Sequence, residues 1–97
     1  MDRDQALSTL RSHADEFRRL GVARLYLFGS VARGEARPAS DVDLFFDFDN
    51  PRFSLIELAK LQQRVTEVLR TQADVMSRGS LHPALRAGIE DGAVQVF

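Results

Sequence analysis

The sequence predicts an α/β (α+β) fold of two layers, a mixed β-sheet of about four strands with helices on one face. Three observations predict it. Apolar residues recur at helical spacing over 2–20 and again from Leu58 to Val68. Between them lie two short strand-like runs, 22–28 and 42–48, and the second alternates strictly. In it Val42, Leu44, Phe46 and Phe48 point one way, while Asp41, Asp43, Phe45, Asp47 and Asp49 point the other. Finally, the short link between these runs permits an antiparallel pair, and the long helix after the second favours a right-handed parallel crossover to a third.

Taken in order, residues 2–20 read as one amphipathic helix burying Leu7, Leu10, Ala14, Phe17 and Leu20, with Gly21 just past its end. His13 falls among its polar positions and reads as a solvated surface residue. The run 22–28, apolar apart from Arg24, reads as a central strand, with Tyr26 as a packed aromatic. Residues 30–34 form a helical turn ending at Gly34, and Glu35 faces solvent. Asp47 and Asp49 lie toward the far end of the second strand, solvated or capping the turn at Asn50-Pro51, and Phe45 shields a neighbouring strand. Ser54 and Glu57 form a capping box, with Phe53 and Leu58 as a hydrophobic staple. The helix they start buries Leu58, Leu61, Val65 and Val68 with Leu69 beside them, turns Gln62 and Gln63 to water or a partner, and ends near Arg70. Ala73 to Met76 is a short third strand, and 77–80 a loop. Pro83 fits the first turn of a last helix with Leu81, Leu85 and Ile89 as its buried line, weakened by Gly88 and Gly92. His82 reads as a cap or surface residue, and 94–97 as a terminal strand.

A length of 97 residues makes one domain, 1–97, the expectation. There is no cysteine, hence no disulfide framework and no thiolate metal site, which fits a reducing cytoplasm. No apolar run reaches membrane-spanning length, so no membrane partner is expected. A formal net charge of −1 argues against extended nucleic-acid binding, which depends on neutralising many phosphates.

The chemistry concentrates between Leu27 and Phe48. Asp41 and Asp43, two apart on a strand, share one face about 6.6 Å apart. Both can lean on one hard cation, and magnesium prefers one or two protein carboxylates plus phosphate oxygens. Upstream, Gly29 allows a sharp turn and close approach of a ligand, and Ser30 offers a hydroxyl and free N–H groups to an anion. Arg33 lies one helical turn on, within reach of phosphate, and Arg37 is a surface residue or weak phosphate contact. A phosphate pocket beside a magnesium pair is what nucleotidyl transfer needs.

Gly29-Ser30, ten residues, then Asp41-Val42-Asp43 resembles the signature of the DNA polymerase beta-like nucleotidyltransferases. The fuller string GSVARGEARPASDVDLFF is similar to the minimal nucleotidyltransferase branch, whose best-described members are antitoxins paired with HEPN-domain toxins. The resemblance covers nearly the whole chain, and the combined motif is specific where a lone Asp-x-Asp would be weak. It implies a magnesium-dependent enzyme with two Mg2+ ions held by Asp41, Asp43 and Asp74, the last a third carboxylate that accepts the acceptor's proton. It further implies ATP as substrate, gripped by Gly29, Ser30, Arg33 and Ser40, and AMP transfer to a tyrosine hydroxyl of a HEPN toxin in a hetero-oligomer. Two competing readings remain open at this stage: an antitoxin that works by covering its partner, and a small-molecule nucleotidyltransferase acting as a dimer.

Overall fold

Four strands make one sheet in the computed structural model, which describes residues 1–35, 37 and 41–97. They are β1 (Val22–Phe28), β2 (Val42–Phe48), β3 (Ala73–Ser77) and β4 (Val94–Gln95), in the spatial order β3-β2-β1-β4. β1 runs antiparallel to both β2 and β4, whereas β2 and β3 are parallel. The sheet is therefore mixed, and the parallel pair is the one joined by a long helix, as a crossover requires.

Helices α1 (Arg3–Ser12), α2 (Ala14–Arg19) and α4 (Leu55–Leu69) supply Leu7, Leu10, Phe17, Leu61, Val65 and Leu69 to the core. These side chains meet Val22, Leu25, Leu27, Val42, Leu44, Phe46, Ala73 and Val75 from the sheet. The helix expected over 2–20 is broken at His13, which leaves the helical backbone at φ −108°, ψ 14°. Ser12 turns its hydroxyl back on the carbonyl of Thr9 (2.6 Å), and a new helix starts with Asp15 and Glu16 in its first turn. His13 is half-buried rather than solvated, its Nδ1 3.3 Å from Glu16. Gly21 sits at φ 111°, and an added Cβ would meet Phe53 at 2.8 Å, so the turn into β1 requires glycine.

Ser54 and Glu57 form the expected capping box of α4, and Arg70 ends that helix in the left-handed region at φ 55°. Ser77 belongs to β3, and a single 3-10 turn, Arg78–Ser80, follows it. α5 (Pro83–Gly92) starts at His82, whose Nδ1 accepts from the backbone N–H of Ala84 at 3.1 Å, so this histidine is a cap. α5 buries none of its residues; Leu85, expected inside, is 60 % exposed, and only Leu81 ahead of it is buried. The reason is its place: α5 touches β1 and the short helix after it instead of lying across the core.

Both edges of the sheet are closed by helix side chains. Arg11 of α1 donates to the carbonyls of Val96 (2.8 Å) and Gln95 (3.1 Å) beside β4. Gln62 of α4, expected to face water or a partner, instead bonds the backbone of β3. An open edge is a pairing hazard, and these contacts occupy it.

Candidate active site

β1 ends at Phe28, and Gly29 turns the chain at φ 79° into the four-residue helix α3 (Gly29–Ala32). The turn is tied by Arg33 N–H to the carbonyl of Gly29 (3.1 Å) and Glu35 N–H to that of Ser30 (2.9 Å). Phe28 pairs with Asp43 across β1 and β2, which sets the Asp43 carboxylate against Gly29. A Cβ on Gly29 would collide with Asp43 Oδ2 and lie 3.2 Å from its Cγ. The absent side chain is the space the carboxylate occupies.

Asp43 also stands in register with Asp74 on the parallel strand β3. Neighbouring strands lie about 4.8 Å apart and paired residues share a face, so the two carboxylates adjoin. Burial pushes the Asp43 carboxyl above its usual range, with the charges of Asp74 and then Asp41 adding to the rise and Arg33 opposing it. Asp43 is half-buried, while Asp41 and Asp74 are exposed beside it. Among the described residues no three His, Cys, Asp or Glu side chains are already drawn together as a metal cage. The donor set nonetheless fits magnesium, which takes one or two carboxylates and completes its shell with phosphate oxygens and water. Burial and the two neighbouring carboxylates outweigh Arg33 at the half-buried Asp43, and the groove a Cβ would fill keeps it facing the turn.

Beside this turn opens a cleft of about 460 Å³ lined by Phe28, Gly29, Arg33 and, from α5, Ala84, Leu85, Gly88, Ile89 and Gly92. That volume lies in the range of small-molecule sites. Ala84, Gly88 and Gly92 recur every four residues, so they give α5 a smooth wall, and a Cβ at either glycine would meet nothing within 4 Å. In sequence these glycines read as helix weakeners, and their four-residue spacing is the signal that marks the wall. Arg33, on the rim, is held by Glu35 at 3.0 Å, so Glu35 is an ion-pair partner and not merely solvated. Ser40, expected among the nucleotide contacts, lies outside the described residues.

Asp47 does not share the fate of the other acids. Arg78 grips it with two bonds, Nε to Oδ1 at 2.8 Å and an Nη to Oδ2 at 3.0 Å, and Arg24 adds a third at 3.0 Å. Those guanidiniums, Arg78 foremost, hold the Asp47 carboxyl below its usual range. Asp47 is thus a structural anion and neither solvated nor a turn cap. Arg78 also reaches Glu90 of α5 at 2.5 Å and lies over the rings of Tyr26 (4.9 Å) and Phe45 (5.0 Å). Phe45, stacked on Tyr26 at 4.8 Å, is 1 % exposed and offers no face to a base.

Residues 10–96 match the nucleotidyltransferase domain family. A solved structure provisionally described as a minimal nucleotidyltransferase superposes with a TM-score of 0.75 at 37 % identity, covering 97 % of this chain and 95 % of that one. The chain belongs to this family, as a minimal nucleotidyltransferase with the DNA polymerase beta-like fold. It is similar to a protein of Methanocaldococcus jannaschii provisionally designated a protein adenylyltransferase, 40 % identical over 79 % of this chain and 82 % of that protein. It is also similar to the protein adenylyltransferase MntA of Thermococcus cleftensis, 37 % identical over 76 % of this chain and 75 % of that one. The fold alone is shared with the complex of a tri-AMPylated HEPN toxin and an MNT antitoxin from Shewanella oneidensis, at a TM-score of 0.66 and 17 % identity, over 94 % of this chain and 71 % of that one.

Proposed function

We propose that this nucleotidyltransferase moves the AMP of ATP onto a hydroxyl of a partner protein, a HEPN-domain ribonuclease toxin that it thereby neutralises. The observation that carries the reading is the placement of Asp43: packed on Gly29, in register with Asp74, and next to a cleft that Arg33 borders. The relatives named as protein adenylyltransferases support the choice of AMP and of a protein acceptor. The fold neighbour seen with an AMPylated HEPN toxin supports the partner.

In this reading the turn at Gly29 and Ser30 holds the β and γ phosphates, and Arg33 offsets their charge. Asp41, Asp43 and Asp74 would hold two magnesium ions. Bound there, magnesium supplies neutralisation of the triphosphate and a lowered pKa for the acceptor hydroxyl. The acceptor oxygen attacks the α phosphorus in line, the bond from that phosphorus to the bridging oxygen of the β phosphate breaks, and pyrophosphate leaves. Asp74, exposed on the neighbouring strand and in register with Asp43, takes the hydroxyl proton. The acceptor in this reading is a second protein, as the names of the relatives imply, and the cleft beside the Gly29 turn stands open to one.

The test is purified protein with ATP, magnesium and the partner toxin, read by intact-mass spectrometry. Addition of one or more AMP masses to the toxin is expected with wild type, and loss by about a thousandfold in rate with Asp41→Asn plus Asp43→Asn. An unmodified toxin, or a double variant that protects cells as well as wild type, overturns the reading in favour of binding alone.

A further inference from the structure

We propose that Gln62 is a positioning residue: its side-chain amide, bonded to the backbone on both sides of Asp74, holds that carboxylate in register opposite Asp43. The inference rests on the reading of Asp74 as a member of the nucleotidyl-transfer site. β3 is five residues long, lies at the sheet edge and pairs with β2 alone. Such a strand is weakly specified, and a slip of one residue would turn Asp74 to the helical side. The backbone N–H of Val75 donates to Gln62 Oε1 at 2.9 Å, and Gln62 Nε2 donates to the carbonyl of Ala73. A primary amide carries one acceptor and a donor side by side, as a peptide unit does. Gln62 therefore stands where a further strand would, spanning the two residues that flank Asp74. Its amide is steadied in turn by Thr66, whose hydroxyl donates to the backbone carbonyl of Gln62 at 3.0 Å and accepts from Gln62 Nε2 at 3.4 Å. The apolar contacts of Leu61, Val65 and Leu69 dock α4 on the sheet without direction along the strand. The two amide bonds supply that direction.

Gln62→Leu keeps the bulk and removes both bonds; Gln62→Glu keeps the acceptor for Val75 and loses the donor to Ala73. Gln63→Leu, on the exposed face where Gln63 bonds Glu67 and nothing of β3, is the control. Three quantities are read in each: amide hydrogen exchange at Val75 and along β1, the Kd of a magnesium ATP analogue, and the single-turnover rate of AMP transfer to the partner. In Gln62→Leu, exchange at Val75 is expected to quicken about tenfold or more with β1 unchanged. The transfer rate is expected to fall about tenfold or more while the analogue's Kd stays within about twofold, because the Gly29 turn is untouched. Gln62→Glu falls between, and carries the test if Gln62→Leu does not fold. Unchanged exchange at Val75, a wild-type transfer rate, or losses of rate, Kd and β1 protection all together would overturn the proposal. A wild-type protein that transfers no AMP yet shows the Val75 result sinks the functional reading and leaves the clamp on β3 standing.

Discussion

At Asp43 burial and charge oppose one another. The folded chain holds its proton in a pH window where the unfolded chain has released it, because the folded pKa is raised. Stability therefore falls as pH climbs from the ordinary carboxylate range through that raised value. Asp43→Asn is expected to be more stable than wild type at neutral pH without metal, and the difference to vanish in acid, as read by urea unfolding at a series of pH values. Magnesium with a nucleotide should raise the wild-type Tm and leave that of Asp43→Asn nearly unmoved. At Gly29 a methyl group meets both a left-handed backbone and the Asp43 carboxylate. Gly29→Ala is expected to cost about 1–3 kcal/mol in urea unfolding and to abolish AMP transfer. The packing of Asp43 on Gly29 joins two ends of one local string, and Gly29, Ser30, Asp41 and Asp43 stand out as candidates because their chemistry sits in that string. Gln62 does not, since its partners at Ala73 and Val75 are brought to it only by the crossover of α4.

Among the elements, β1, β2 and α4 follow their patterns nearly to the residue, because alternation and the capping box are local signals. The first helix and α5 depart from theirs for tertiary reasons. Phe17 reaches the core through a separate short helix after His13, and α5 is held from the side by Arg78 instead of by burial. Arg78 joins β3, β2 and α5 through Asp47 and Glu90, across 31 and 12 residues of sequence, separations that no periodicity reports. Arg78→Met is expected to lower stability by about 2 kcal/mol at neutral pH, measured by urea unfolding, since it removes two of the three guanidinium bonds to a mostly buried carboxylate and leaves it only the exposed Arg24 among the described residues. The Asp47 carboxyl has a depressed folded pKa, so the stability it contributes is present above the ordinary carboxylate range and lost as pH falls through the lowered value. The gap between wild type and Arg78→Met should close over that acid window. Hydrogen exchange in α5 should quicken in the variant, because the helix buries none of its own residues.

Across the whole molecule, a mixed sheet packed on one side by three helices leaves its acids and the α5 cleft on the other. The mixed sheet was legible from connection lengths; the cleft was not, because α5 looks in sequence like any helix with an apolar line. The described residues include no helix long and apolar enough to cross a membrane. A formal charge of −1 predicts no saturable binding of a labelled oligonucleotide at about 0.1 M salt by fluorescence anisotropy. The central claim is that three aspartates and a glycine turn direct attack at the α phosphorus of ATP. Parallel reactions with ATP labelled at the α or at the γ phosphate, magnesium and the partner toxin test it most directly. The account predicts label on the toxin from the α position only, with the γ label recovered in pyrophosphate. Label on the toxin from the γ position, or from neither, would contradict it.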